Sequence, residues 1–300
     1  MRRQVFHAAL FALAAPVCVL GAQQNFDTVT VRSLRVADGI YMLTGAGGNI
    51  GVATGPEATY IIDDQYAPLS QKIEAAVRSV TGQPVKFVLN THWHGDHTGG
   101  NENFGSRGLI IYAHDNVRTR MSKEQVIEQL KQTVPASPAA ALPTVTFSES
   151  MTLHFNGETV LVFHVAKAHT DGDVMMHFRN ANVVHTGDVF VRYGFPFIDH
   201  SSGGSFRGTI AATEKLLAAT DANTKYIPGH GALADRKDVE GYLKMLKTVR
   251  DRISAQITLK KTVEQVEAAD LLADLDSAGG KGFINGRAFT RLVFTELAGK

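Results

Sequence analysis

Residues 85–97 read Val-Lys-Phe-Val-Leu-Asn-Thr-His-Trp-His-Gly-Asp-His, a short apolar strand pattern that runs into a cluster of polar side chains. The cluster places His92, His94, Asp96 and His97 within six residues. Neutral imidazole and carboxylate are the ligands that Zn²⁺ takes where no thiolate is available. A polar turn is the alternative for any single histidine, but four ligand-type side chains together predict a metal site at the end of a strand.

The backbone must turn inside this cluster. Side chains two residues apart on a regular strand point to opposite faces, so His92 and His94 can share an ion only if the strand has ended. Gly95 is expected to supply the bend, because glycine adopts backbone angles that other residues avoid. We therefore expect a loop built around an ion.

Three further ligand-type residues follow predicted strands downstream. His169, Asp188 and His230 each come after a short apolar stretch, and each is flanked by glycine or another small residue. Taken singly, such short motifs are typical of ordinary turns. Taken with the cluster, they complete a set of seven candidate ligands. Asp173 is a candidate to fix His169 or its loop, with a surface turn as the alternative.

The order of the predicted elements, strands and then helices, repeats in two halves and indicates an α/β (α+β) protein. In chain order the predictions are a meander at 29–63, helix 69–80, strands 85–89 and 109–112, helix 115–133, a proline-rich loop at 135–143 between the halves, a second meander at 145–185, and helices 206–219, 239–255, 263–275 and 286–297. No run of Gly, Ser or Pro is long enough to be an interdomain linker, so residues 23–300 are predicted to form one catalytic domain.

The order of ligand types resembles the metallo-β-lactamase superfamily. The family pattern His-x-His-x-Asp-His, then His, then Asp at a strand end, then His, is matched in order and type over residues 38–235. The resemblance implies an αββα sandwich, two β-sheets flanked by helices, with two metal ions at one edge. It also implies which residues hold them: His92, His94 and His169 the first ion, Asp96, His97 and His230 the second, with Asp188 bridging.

The same resemblance implies a dizinc metallo-hydrolase that cleaves an amide, lactam or ester bond. Two Zn²⁺ ions about 3.5–4 Å apart share a water whose pKa falls toward about 7, which provides hydroxide at neutral pH. Asp96 is the candidate catalytic residue that orients this hydroxide. β-Lactamase activity is compatible with the family but is not implied, because the best-known secreted β-lactamases of this fold carry Cys or Ser where this chain has Asp188.

Alternatives within the same fold stay open. A bridging Asp is also typical of lactonases and of thioesterases of the glyoxalase II type. A mononuclear iron sulfur dioxygenase is a further alternative, against which the complete second set of ligands argues. A zinc-binding protein without turnover would not need every ligand to be intact.

Residues 189–199 are too aromatic for an ordinary solvated loop and are predicted to line the substrate groove. Phe195 and Phe197 are the apolar candidates for substrate contact. Arg192 is a candidate clamp for a substrate carboxylate, with an ordinary surface charge as the alternative. The expected substrate is a small molecule, and the pattern leaves the oligomeric state open.

Residues 1–22 have the layout of a secretory signal peptide, which predicts a periplasmic or secreted protein with no membrane segment after cleavage. Arg2 and Arg3 precede an apolar run that ends in the small residues Gly21 and Ala22. The sole cysteine, Cys18, lies in this segment, so the mature chain is expected to have neither a disulfide nor a thiolate ligand. Removing two of 30 basic residues against 29 acidic ones leaves a net charge of −1, which favours neither nucleic acid nor an anionic membrane as a partner.

Overall fold

The computed structural model describes residues 25–277 and 282–299. The predicted signal peptide and Cys18 lie outside the described residues. Within the described part of the chain, no helix combines the length and the apolar character needed to span a membrane.

The described residues form strands and helices in mixed order along the chain. The strands are β1 Arg32–Ala37, β2 Ile40–Thr44, β3 Ile50–Thr54, β4 Thr59–Ile62, β5 Phe87–Leu89, β6 Ile110–His114, β7 Gln125–Ile127, β8 Gln132–Val134, β9 Val145–Phe147, β10 Ser150–Phe155, β11 Glu158–His164, β12 Val174–Phe178, β13 Val183–His185 and β14 Lys225–Ile227. The helices are α1 Ser70–Thr81, α2 Gly95–Thr98, α3 Asn101–Gly105, α4 Asp115–Met121, α5 Phe206–Ala218, α6 Arg236–Thr258, α7 Val263–Ala268 and α8 Gly286–Leu297.

Two sheets carry the fold. The first has the strand order β1-β2-β3-β4-β5-β6-β9, and the second has the order β10-β11-β12-β13-β14. The first sheet begins as an antiparallel meander and becomes parallel from β4 onward, whereas β13 and β14 are the parallel pair of the second sheet. These parallel strands end at the edge that carries the predicted ligands.

Alternating side chains divide the core into layers, because successive residues of a strand point to opposite faces. Ile62 and Val183 lie between the two sheets in one apolar cluster. Their neighbours point outward: Ile61 packs with the apolar side of α1, and Val184 packs with α5, α6 and α8. Burying each such side chain contributes about 1.5–3 kcal/mol. The layers are helix, sheet, sheet and helix, which confirms the predicted αββα sandwich.

The predicted helix over 115–133 is correct only for its first turns. Helix α4 ends at Met121, and the residues beyond it form an antiparallel hairpin of β7 and β8. Ile127 of this hairpin packs in a buried cluster with Trp93 and Phe197. Tertiary burial of this kind overrides local helix propensity.

Two other boundaries differ from the sequence prediction. Residues 145–147 belong to the first sheet, as strand β9 beside β6, so the proline-rich loop lies within the first half of the chain and not between the halves. The predicted helix 263–275 divides into α7 and a 3-10 turn, Ala273–Leu275. Asp270 has a positive φ of 47°, a left-handed conformation that a continuous helix does not allow.

Candidate metal centre

The seven predicted ligands come from four loops at one edge of the sandwich. Residues 92–97 follow β5, and His169 follows β11. Asp188 and His230 follow the neighbouring parallel strands β13 and β14. The carboxyl ends of parallel strands meet at the same edge, which is where sites form in sheets of this kind.

The chain turns at the cluster by starting a helix. His94, with φ −63° and ψ 146°, is the N-cap of α2. Gly95 has no positive φ, and a Cβ added there would meet no atom of the described residues within 4 Å. The expectation that Gly95 supplies the bend is therefore wrong. The left-handed residues nearby that are not glycine are Asp63 and Gln65, at φ 64° and 55°, in the loop after β4.

His92, His94 and His169 form a first group, with ligand atoms that all lie within 4.8 Å of one another. His94 Nδ1 is 2.8 Å from His169 Nε2. His92 Nε2 is buried and has no hydrogen-bond partner within the described part of the chain. A buried polar atom left unpaired costs about 1–3 kcal/mol, and a cation facing these three nitrogens would remove that cost.

Asp96, His97 and His230 form a second group within the same distance limit. His230 Nε2 lies 3.2 Å from Asp96 Oδ2, and His97 Nε2 lies 3.3 Å from His230 Nε2. His97 Nε2 is 3.6 Å from Asp96 Oδ2. Two imidazoles and a carboxylate facing one point match the ligand types that Zn²⁺ accepts.

Asp188 lies between the two groups. Its Oδ1 is 3.2 Å from His97 Nε2, and its Oδ2 is 3.4 Å from His230 Nε2. The same Oδ2 is 3.8 Å from His169 Nε2 in the first group. One carboxylate therefore faces nitrogens of both groups, which is the position that a bridging ligand needs.

Hydrogen bonds on the outer ring nitrogens orient two of the imidazoles. His94 Nε2–H donates to Asp199 Oδ2 at 3.0 Å. His97 Nδ1–H donates to Asp63 Oδ2 at 2.7 Å. In each ring the proton is held away from the centre, so the other nitrogen can present a lone pair to an ion.

The remaining imidazoles of the first group are oriented in the same way. His169 Nδ1–H donates to the carbonyl of Phe197 at 2.8 Å, and His92 Nδ1–H donates to Thr91 Oγ1 at 3.0 Å. Asp173 is buried, and its Oδ2 accepts the backbone N–H of His169 at 2.7 Å. Asp173 thus fixes the loop that carries His169 and is not part of a surface turn.

Asp63 and Asp199 are the two carboxylates behind the ligands that the sequence analysis missed. Both are 0% exposed although both are acidic. The only sequence signal was weak: Asp63 ends a run of buried strand residues, and Asp199 ends the aromatic segment after Asp188. Neither position belongs to a motif, because their role depends on which imidazole the fold brings to them.

The two groups differ in charge. Burial lowers the pKa of His169 to about 4 and holds the pKa of His92 well below its usual range, so these two imidazoles of the first group are neutral. In the second group burial opposes protonation, but the carboxylates of Asp188 and Asp96 raise the pKa of His230 to about 9. Burial also opposes ionisation of Asp96, but His97 first and then His230 hold its pKa at about 2. A cation binding to the second group would therefore displace a proton.

The glycine loop at residues 45–49 borders this centre, as a turn between β2 and β3. A Cβ added at Gly48 would lie 2.1 Å from His97 Cε1. The Gly48 N–H also donates to the Asp96 carbonyl at 3.1 Å. Only a glycine allows the loop to pack directly against the His97 ring.

A cavity of about 570 Å³ opens beside the two groups. Asp96 and Phe197 line it, but Phe195 and Arg192 do not. Phe195 is buried and stacks on Phe289 with ring centroids 4.8 Å apart. Arg192 forms an ion pair with Asp238 on α6 at 2.9 Å and donates to backbone carbonyls beside it. The structure therefore brings only Phe197, of the three substrate candidates, to the cavity.

The sequence matches the profile of the Metallo-beta-lactamase superfamily over residues 41–247. It is 25% identical over 229 residues to a linear primary-alkylsulfatase from Pseudomonas sp. (strain ATCC 19151), covering 64% of this chain and 43% of that protein. It is 24% identical over 217 residues to the lactamase-like protein notP from Aspergillus sp. (strain MF297-2), covering 70% and 58% respectively. The chain thus spans about half the length of these curated relatives.

Solved structures share the fold. A metallo-beta-lactamase from Pontibacter korlensis superposes with a TM-score of 0.60 at 17% identity, covering 73% of this chain and 99% of that one. A double mutant of the sec-alkyl sulfatase PisA1 superposes with a TM-score of 0.69 at 12% identity, covering 91% of this chain and 51% of that one. At these identities the likeness establishes the architecture alone.

Proposed function

The chain belongs to the metallo-beta-lactamase superfamily, and from that premise we propose that it is a periplasmic or secreted dizinc hydrolase. It cleaves an amide, lactam or ester bond of a small molecule. The observation that carries the proposal is the arrangement of seven inward-facing ligand-type side chains in two groups that share Asp188. Imidazole and carboxylate ligands without thiolate fit zinc, and two complete groups support two ions rather than one iron.

Asp96 is the proposed catalytic residue. When bound, two zinc ions would supply ionisation of a water at neutral pH and polarisation of the bond to be cleaved. Asp96 lines the cavity, and its side chain is 25% exposed while still facing His230. Its carboxylate can therefore hold the proton of an attacking water and orient the oxygen toward a substrate in the cavity.

The proposal covers several kinds of bond to a carbonyl carbon. A lactam, a lactone, an ester or a thioester each places a carbonyl carbon at the centre, and each yields an acid after addition of water. A β-lactam carboxylate would lack the Arg192 clamp, because that guanidinium pairs with Asp238. The geometry therefore supports a lactone, ester or thioester more strongly than a β-lactam.

A second candidate is hydrolysis of an alkyl sulfate ester. It is favoured by one observation, the likeness of the chain to two alkyl sulfatases, one of which superposes over 91% of this chain. The chain spans 43% of the curated alkylsulfatase, so that protein's activity comes to this chain only as a proposal.

The test is turnover by zinc-loaded protein of a chromogenic cephalosporin, an aryl ester, a lactone, a thioester and an alkyl sulfate. We expect cleavage of at least one acyl substrate, with a loss of about a hundredfold or more on chelation and recovery with zinc. His92→Ala should abolish turnover, whereas His154→Ala, at an exposed strand position, should not change it. Cleavage of the sulfate alone would favour the second candidate, and no cleavage by a chain with bound zinc would contradict both.

A further inference from the structure

We propose that the cavity beside the metal centre binds an uncharged apolar chain, so that the substrate is an ester or lactone with an alkyl or aryl group. The inference rests on the proposed hydrolase function and specifies its substrate class. It is carried by three apolar parts of the cavity lining, and by the absence of lysine and arginine among the described lining residues.

One wall is the β7–β8 hairpin. Ile127 and Val134 face the cavity from its two strands, and Leu130 lies in the turn between them. Leu130 is 38% exposed, although water is a poor environment for a leucine side chain. Large apolar side chains exposed at the mouth of a cavity are typical of a surface that binds apolar groups.

A second part of the lining is aromatic. The Phe283 ring lies 6.2 Å from Tyr193 and 5.7 Å from Phe197, measured between ring centroids. Phe283 is 59% exposed at the mouth of the cavity. Its position is fixed by the next residue, because Ile284 pairs with the buried Phe195. Phe195 thus supports the wall from behind.

The third apolar part of the lining is the Trp93 ring. Trp93 lines the cavity, and its single polar group is already used, since Nε1–H donates to Ser202 Oγ at 3.1 Å. The indole ring can therefore offer only carbon atoms to a substrate. This ring lies next to His94, with ring centroids 4.9 Å apart, so an apolar chain on Trp93 would adjoin the metal centre.

No lysine or arginine is found among the described residues that line the cavity. Lys131 lies between Leu130 and Gln132 on the hairpin but is not itself part of the lining. Arg192, next to the lining residue Tyr193, pairs with Asp238, and Arg120 donates to both carboxylate oxygens of Asp171 at 2.7 and 2.6 Å. A carboxylate on the chain of a substrate would lose its water without gaining a cationic partner. The walls therefore select against a charged chain as well as in favour of an apolar one.

The test compares zinc-loaded protein on p-nitrophenyl acetate, butanoate and octanoate, with the 7-carboxyheptanoyl ester as a charged control of similar length. Water adds across the acyl C–O bond, giving the carboxylic acid and nitrophenol. Each buried methylene is worth about fourfold in binding, so kcat/KM should rise about tenfold or more from acetate to octanoate. The charged ester should lose about tenfold or more relative to octanoate.

Variants locate the effect. Leu130→Ser and Phe283→Ser should each lower kcat/KM for octanoate about five- to tenfold through KM, with little change for acetate. Val126→Ser is the matched control, because Val126 is 51% exposed on the same hairpin but does not line the cavity. Equal kcat/KM across the series, or no effect of the two variants, would overturn the inference while the hydrolase function stands.

If no ester is cleaved, the affinity of the protein for carboxylates of different chain length tests the inference. Calorimetric titration of zinc-loaded protein with acetate, butanoate and octanoate measures the chain preference without turnover. Affinity that rises with chain length and falls in Leu130→Ser would support the apolar site even as the proposed reaction fails. Equal affinities would overturn the apolar site.

Discussion

Replacing Asp199 with asparagine should weaken the first metal group without removing any ligand. Asp199 Oδ1 accepts the N–H of Ser202 at 3.1 Å and the Ser201 hydroxyl, while Oδ2 accepts His94 Nε2–H. An asparagine that keeps its oxygen toward Ser202 turns its NH₂ toward His94. Two N–H groups cannot face each other, so the ring proton moves to Nδ1, the nitrogen that faces His169 at 2.8 Å.

The magnitude follows from the role of the outer hydrogen bond. Loss of such a partner behind a metal-bound imidazole costs about 10–100-fold in metal affinity, equivalent to about 1.4–2.7 kcal/mol. Asp199→Asn should therefore lower the affinity for one zinc ion by that factor and leave the affinity for the other unchanged, because the second group relies on Asp63 behind His97.

The assay is titration of metal-free protein with zinc against a chromophoric chelator. Ser201→Ala is the matched control, since it removes one hydrogen bond from Asp199 but leaves the carboxylate facing His94. Wild-type affinities for both ions in a folded Asp199→Asn protein would refute the reasoning, and so would equal weakening by Ser201→Ala.

Two further substitutions test contacts around the centre. Gly48→Ala should destabilise the fold by about 1–3 kcal/mol and lower zinc occupancy of the second group, because the new Cβ would lie 2.1 Å from His97 Cε1. Thermal unfolding and zinc content measure these two effects. The control is Gly241→Ala, where no described atom lies within 4 Å of the new Cβ, and equal results for the two variants would contradict the prediction. Burial opposes ionisation of Glu296, but a hydrogen bond from His200 and the first N–H groups of α5 hold its pKa at about 2. Because the folded pKa lies below the unfolded one, this stability is present above the unfolded pKa of about 4.3 and is lost as pH falls through the folded value. Glu296→Gln should cost about 2 kcal/mol of unfolding free energy at about pH 7 and about half of that at about pH 3, as measured by urea titration; equal differences at the two pH values would argue against the assigned role.

The parts of the fold that local pattern determines were predictable. The apolar run before His92 indicates a strand, and the order of ligand types through His230 indicates the family and its sandwich. Helix α8 has the predicted bounds because its apolar face and its Asn285 N-cap are both visible in the sequence. Such features depend on neighbours within a few residues.

The rest depends on contacts between distant parts of the chain. The β7–β8 hairpin forms because Ile127 is buried against Trp93 and Phe197, which the local sequence does not reveal. Arg192 pairs with Asp238, 46 residues further along, so its direction could not be read from the segment that carries it. The same reason hides Asp199, which lies 105 residues from the imidazole that it orients.

Metal stoichiometry tests the central claim most directly. The claim is that the seven ligand-type side chains form two sites that share Asp188. Elemental analysis of the purified chain, after dialysis against buffer free of added metal, measures the number and identity of the bound ions. The account predicts two zinc ions per chain, whereas one iron per chain, or a folded chain that retains no metal even after exposure to zinc, would contradict it.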